Sequence, residues 1–165
     1  MNPSIVLGTF QNNNYQDLLN VVDAACGSRF YNFEKTKDGG TTWTEVNGDP
    51  FDQNMGVAEG LLFFTNDFGF AGLTYASEDF SMLYVTKDGG ETFERLELPL
   101  DTVTELPSEA AELGFTIEDY DYHTMPQIVD GKMEIYLQTD AMEQQGIIFQ
   151  SEDNGVTWEY AGCKE

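Results

Sequence analysis

Apolar and aromatic residues along this chain come in short runs, separated by clusters of Asp, Asn and Gly. Such runs occupy residues 5–10, 30–33, 61–64, 70–75, 82–86, 133–137 and 147–150. Each has the length of a strand and is rich in the β-branched and aromatic side chains that suit a pleated surface. Gln127, Ile128 and Val129 lead through Asp130 and Gly131 into the 133–137 run, which is the punctuation of a tight hairpin. Turns are also predicted at Asn12, Asn13 and Asn14, at Asn66, Asp67, Phe68 and Gly69, and at Ser77, Glu78 and Asp79. Two segments depart from strand spacing. Tyr15, Leu18, Leu19, Val22, Ala25 and Cys26 fall at helical spacing, with Asn14 as N-cap and Gly27 as C-cap, and predict a short helix over 15–25. As a strand, the same stretch would align with the 61–64 run. Residues 107–113 predict one or two helical turns stopped by Gly114.

Three of the gaps between runs share one pattern, Ser/Thr-x-Asp-x-Gly-x-Thr-Trp/Phe. It places Asp38, Gly40, Thr42 and Trp43 in the first box, Asp88, Gly90, Thr92 and Phe93 in the second, and Asp153, Gly155, Thr157 and Trp158 in the third. The boxes lie 50 and 65 residues apart, the scale of a multi-stranded repeat. Strand-like residues flank each, so each box is expected to turn a β-hairpin. The Asp accepts bonds from backbone N–H groups further on, the Gly supplies a positive φ, and the aromatic ring folds back to seal the turn.

This pattern resembles the Asp-box, or BNR, repeat of sialidases, sortilin-type receptors, some β-propeller glycosidases and photosystem-assembly factors. The stretch from Phe63 to Gly72 also resembles the first hairpin of the assembly-factor type of blade. The resemblance implies an all-β fold of antiparallel propeller-like blades, three in number, as a partial or assembled propeller with a short helical insertion. Blades are expected at about 4–49, 56–100 and 125–162 in a single domain over 1–165, with an acidic insertion at 101–123. It also implies that the boxes are structural, on the outer rim and away from any active site. Propellers close with four to eight blades, so three leave open edges that attract partners: either two copies associate into a larger ring, or the edges are capped, or the chain is a piece of a longer protein. In a ring the first and last blades are neighbours, so Cys26 and Cys163 are either a staple between the ends or two unrelated thiols.

Composition changes this picture chiefly through charge. Lys and Arg total 7 against 30 Asp and Glu, a net charge of −23. That excludes nucleic acid, whose phosphates need a basic face, and disfavours an anionic membrane surface. It suits cationic partners, Ca2+ or plain solubility in an extracellular or cell-surface setting. No apolar stretch is long enough for a membrane span. No basic region follows Met1, so any leader is expected to have been removed.

Candidate chemistry is sparse. Glu118, Asp119 and Asp121 offer oxygen ligands for Ca2+, without the Gly and late Glu of an EF-hand loop. Tyr120 and Tyr122, with Phe115 and His123 nearby, offer rings beside carboxylates, as sugar-binding sites do. The alternative for these rings is a place in a blade core. A sialidase needs three arginines around its substrate carboxylate, and this chain has only Arg29 and Arg95. A carboxylate-pair glycosidase needs no such clamp, but no local pattern selects a pair. The sequence therefore points to a non-catalytic module presenting loops to a carbohydrate or protein partner, with no catalytic residue assigned and Ca2+ as the one cofactor considered. A glycoside hydrolase subunit whose site forms on assembly is the alternative.

Overall fold

The computed structural model describes residues 6–9, 15–77 and 79–165. The first strand is described at Val6–Thr9 (β1), while Ile5, Phe10, the turn at 12–14 and Glu78 lie outside the described residues. Three antiparallel sheets follow in chain order. The first runs β1, β2 (Gln16–Ala25), β3 (Ser28–Thr36), β4 (Thr44–Asn47). The second runs β5 (Val57–Phe63), β6 (Gly69–Thr74), β7 (Ser81–Thr86), β8 (Glu94–Arg95). In the third, β9 (Tyr122–His123) and β10 (Gln127–Val129) both pair with β11 (Lys132–Gln138), followed by β12 (Gly146–Ser151) and β13 (Glu159–Lys164). The third sheet thus begins inside the stretch assigned to the insertion. The fold is all-β, with antiparallel blade-like sheets and, among the described residues, one short α-helix, α1 (Ala110–Leu113), stopped as expected by Gly114 at φ 75°. Among the described residues no helix is long and apolar enough to cross a membrane. The chain divides into two compact units. Met1–Ala76 with Met82–Leu96 make the first, and Ser77–Ser81 with Glu97–Glu165 the second.

The helix expected over 15–25 is a strand. Leu18 and Leu19 are buried, whereas Val22 is 54 % exposed and Ala25 and Cys26 lie at the surface, so the helical stripe covers nothing. Pairing decides the matter. β2 runs against β3 from Gln16↔Thr36 to Ala25↔Ser28, with a bulge near Val22. The two-residue loop between them, Cys26 at φ 50° and Gly27 at φ 87°, has the double positive φ of a tight hairpin turn. Gly27 therefore closes a hairpin rather than a helix. Cys26 and Cys163 are both free thiols, the second of the two alternatives left open by the sequence.

The three boxes turn three hairpins, β3–β4, β7–β8 and β12–β13, with one repeated network. In each, the first residue's hydroxyl (Thr36, Thr86, Ser151) donates to the Asp Oδ1 at 2.7, 2.9 and 2.8 Å. That hydroxyl accepts the Gly N–H at 3.0, 2.8 and 2.7 Å. The later Thr N–H donates to Oδ1 at 2.8, 2.9 and 2.8 Å, and its hydroxyl to Oδ2 at 2.6, 2.5 and 2.6 Å. Gly40, Gly90 and Gly155 hold φ of 88°, 92° and 87°. The residue before each is also at positive φ, which Asn154 tolerates at 61°.

Bonds from Thr42 and then Thr36 hold Asp38 at a pKa of about 2, and bonds from Thr157 and then Ser151 hold Asp153 at about 2, against an ordinary 3.8. At Asp88 burial pushes the pKa up, but the Thr92 and Thr86 bonds outweigh it and the net shift is down. A carboxyl whose folded pKa is depressed adds stability above its unfolded pKa and loses it as pH falls through the folded one. The urea midpoint is therefore expected to fall between about pH 4 and about pH 2. In Asp38→Asn and Asp153→Asn that fall should be shallower. Equal slopes in wild type and variants would contradict the network.

The first unit's core is aromatic. Phe33, with no exposed surface, stacks on Phe63 at 5.6 Å and meets the edge of Phe93 at 5.4 Å. Tyr31, Phe51 and Tyr84 continue the layer, edge to face at 5.8 and 5.2 Å. The Tyr31 hydroxyl accepts the Ala58 N–H at 2.9 Å, and Arg29 and Gly56 exchange backbone bonds. Thus the β3 face bearing Tyr31, Phe33 and Lys35 lies against the second sheet. Phe93 packs on this neighbouring sheet rather than only on its own. Trp43 folds over its own Gly40, and Trp158, 8 % exposed, donates its indole N–H to Gly155 O at 3.2 Å.

In the second unit, Met133, Ile135, Leu137, Ile147 and Phe149 are buried and lie on one face of the third sheet. The opposite face is polar. Glu134, 5 % exposed, accepts from the Tyr136 hydroxyl at 2.6 Å and the Gln150 amide at 2.5 Å. The Lys164 ammonium sits 5.0 Å from the Tyr136 ring centre.

Candidate functional site

Among the described residues of the first unit, one charged strand residue is buried. Asp17 on β2 lies opposite Lys35 on β3 and is only 3 % exposed. Burial pushes its carboxyl up, and Lys35, with Nζ 3.6 Å from Oδ1, pulls it back only in part. Lys35 also donates to Asn66 O at 3.1 Å and lies 4.9 Å from the Phe63 ring centre. Its ammonium thus bridges the two sheets of the unit over an aromatic floor, a geometry that favours a desolvated cation.

Around this pair opens a cleft of about 540 Å³. Asp17, Lys35, Lys37, Thr42, Thr44 and Val46 form one wall, and Asn66, Asp67, Asp88, Gly89 and Glu91 the other, with Tyr15 at the rim. The hairpins of the first two boxes hold these walls, and Gly89 N–H donates to Asp67 O at 2.8 Å to fix the second. Tyr15 is 41 % exposed, and Lys37, Asp67 and Glu91 are exposed, so the cleft offers charges of both signs and one ring. The oxygens of Asp88 are spent on Thr86 and Thr92.

A second cleft, of about 580 Å³, lies on the polar face of the third sheet. Gln150, Glu152, Thr157, Glu159 and Ala161 line it at the same places in the repeat as Lys35, Lys37, Thr42, Thr44 and Val46 in the first. Asp17 opposite Lys35 corresponds to Glu134 opposite Gln150.

The residues singled out from sequence sit elsewhere. Tyr120 and Tyr122 are 3 % and 7 % exposed, Tyr120 packing edge-on against Phe115 at 6.3 Å, so their rings fill the second unit's core. His123 is half-buried on β9, its backbone bonded to the Ser81 hydroxyl and its Nδ1 3.2 Å from Asp121 O. Asp119 is engaged as a cap, accepting the N–H of Thr116 at 2.7 Å and its hydroxyl at 3.0 Å. Burial pushes the Asp121 carboxyl up, and Asp79 and Asp119 add repulsion. Glu118, Asp119 and Asp121 do not converge. Among the described residues no three His, Cys, Asp or Glu side chains are placed to hold a metal ion. Sequence reasoning did not single out Asp17 and Lys35, because β2 and β3 also carry Asp23, Arg29 and Glu34 and nothing local marks this pair.

Comparison with protein-family models finds no match. Comparison with curated proteins finds none either. Among solved structures the chain is similar to YCF48 bound to D1 peptide, at 18 % identity and a TM-score of 0.51, over 96 % of this chain and 39 % of that one. The fold is β-propeller-like. This chain spans well under half the length of that structure.

Proposed function

We propose that the chain is a non-catalytic, Asp-box type binding module that holds a protein or carbohydrate partner in the cleft of its first unit, in an extracellular or cell-surface setting. The identical network at Asp38, Asp88 and Asp153 supports the Asp-box reading. The observation that carries the function is the bridged Lys35–Asp17 pair. It is a rigid, partly desolvated floor under a cleft with exposed carboxylates and an exposed ring. Such a site orients a ligand with few groups. A protein segment fits better than a sugar, and a basic one best, because Asp67 and Glu91 face the cleft and the chain carries −23. The similar solved structure, of YCF48 with a D1 peptide, is a propeller holding a peptide and supports the same choice. A homodimer through the sheet faces is a further protein contact within this reading.

A glycoside hydrolase is the second reading. One observation favours it, since Asp17 and Asp88 line one cleft and are shifted in opposite directions. Against it, both Asp88 oxygens are engaged by the turn. Peptide and glycan arrays probed with the labelled chain test the proposal, followed by a hydrolysis assay on any glycan retained. Retention of basic peptides without turnover is expected, weakened about tenfold or more in Glu91→Gln and Asp67→Asn. Sugar release abolished by Asp17→Asn would replace this reading with the hydrolase.

A further inference from the structure

The first cleft carries a donor and an acceptor that the fold leaves open side by side. The Lys35 ammonium has three N–H donors. One bonds Asn66 O at 3.1 Å, and another faces Asp17 Oδ1 at 3.6 Å. The side chain keeps 23 % of its surface exposed and lines the cleft, so the third N–H opens into it. Asp67 is fixed through its backbone. Its N–H donates to Thr65 Oγ1 at 3.3 Å, and its carbonyl accepts the Gly89 N–H at 2.8 Å. Its carboxylate is exposed at the same cleft and meets no partner among the described residues.

Gly89 sets the two groups together. A Cβ on it would stand 3.2 Å from Lys35 Nζ, 3.2 Å from Asn66 O and 3.7 Å from Asp67 Oδ1. Ammonium and carboxylate are therefore neighbours over one bare glycine, within the span of a single planar group. Lys35 makes its ion pair with Asp17, not with Asp67.

Chemistry limits what can bridge them. A carboxylate would accept from Lys35 but has nothing to give Asp67, and it would meet the Asp17 charge as well. An ammonium or guanidinium would give to Asp67 but meet the Lys35 charge. An amide carries an acceptor and a donor on one rigid plane and no charge. We propose that Lys35 and Asp67 form a clamp for an amide group of the partner, its C=O on the ammonium and its N–H on the carboxylate. The amide is either a Gln or Asn side chain or a peptide unit of the bound segment. A basic residue beside it would lie toward Glu91, on the same wall as Asp67. The clamp deepens the reading of this cleft as a protein-binding site and rests on it.

NMR titration of the full chain with the blocked tripeptides Lys-Gln-Lys, Lys-Ala-Lys and Lys-Glu-Lys tests the clamp. Backbone signals of Asn66, Asp67 and Gly89 are expected to shift with Lys-Gln-Lys. If it binds about tenfold tighter than the other two, the clamp takes a side-chain carboxamide. If Lys-Ala-Lys binds equally well and N-methylation of its peptide units abolishes this, the clamp takes a peptide unit. In both cases Gly89→Asn should weaken binding at least about tenfold. Asn154 holds the same box position at φ 61°, so the turn accepts Asn, while the new side chain would press on the Lys35 ammonium. Gly39→Asn, the same change in the first box and outside the cleft lining, should bind as wild type. Lys35→Met, checked for cooperative urea unfolding, should lose binding as Gly89→Asn does. Wild-type binding by both Gly89→Asn and Lys35→Met would overturn the clamp and leave the binding cleft standing. So would tighter binding of Lys-Glu-Lys than of Lys-Gln-Lys, or binding that survives both loss of the carboxamide and N-methylation. No shift at any cleft residue would overturn both.

Discussion

Phe33→Ala is expected to cost about 3–5 kcal/mol, the range for emptying a fully buried aromatic site. Phe33 has no exposed surface, and two separate parts of the first unit, β5 and the second box, rest on it. Phe63 stacks on one face, Phe93 meets it edge-on, and Gly90 lies directly against the ring. The cavity cannot collapse easily, since Gly90 is held by the Thr86 hydroxyl within a closed turn. Lys35 would also lose part of its aromatic floor, being 5.7 Å from the Phe33 centre. A domain is stable by only about 5–15 kcal/mol, so the loss is a large share of the whole. Urea unfolding followed by aromatic circular dichroism measures it. A cost below about 1 kcal/mol would mean that the two sheets of this unit do not pack through Phe33.

Gly90→Ala should be nearly as damaging, at about 2–5 kcal/mol, although it adds a single methyl group. Two costs combine. A left-handed backbone costs a non-glycine residue about 1–2 kcal/mol, and forced overpacking adds about 1–3. Gly90 sits at φ 92°, and its Cβ would occupy the Phe33 ring. Gly40→Ala is the matched control. It has nearly the same φ, 88°, but its Cβ would meet Trp43 only at ordinary contact distance. It should show the backbone cost alone, about 1–2 kcal/mol. In a Phe33→Ala background the Gly90→Ala cost should shrink toward that of Gly40→Ala, because the clash partner is gone. Equal costs at Gly40 and Gly90 in the wild-type background would rule out the nesting.

Local chemistry explains why so much of the architecture could be read in advance. The box positions specify their own turn, since Asp, Gly and Thr satisfy one another within eight residues and need nothing distant. Asp38, Asp88 and Asp153 accordingly make the same bonds in three settings. Gly114 stopping α1 and the Asp130–Gly131 turn, at φ 50° and 81°, are of the same kind. Residues 15–25 are the counter-example. Their apolar spacing fits a helix, but β3 offers a full ladder of backbone partners to β2, and a helix there would leave that ladder unpaired. Tyr120 and Tyr122 are buried where the sequence offered them as exposed rings, because burial depends on what packs above a ring and not on its neighbours in sequence.

What the sequence alone determined is the repeat unit: strand, box, strand, three times over, and with it an all-β fold. It also determined the acidity that sets which partners are admissible. What only the tertiary structure decided is which face of each sheet is covered and which charges become buried. Asp17 and Lys35 are an ordinary cross-strand pair until Phe63 and Asn66 close over them. The same repeat position in the third sheet, Glu134 with Gln150, borders a cleft lined by that sheet and its box alone. Turn geometry is written in contiguous residues, whereas desolvation arises only where segments far apart in the chain meet.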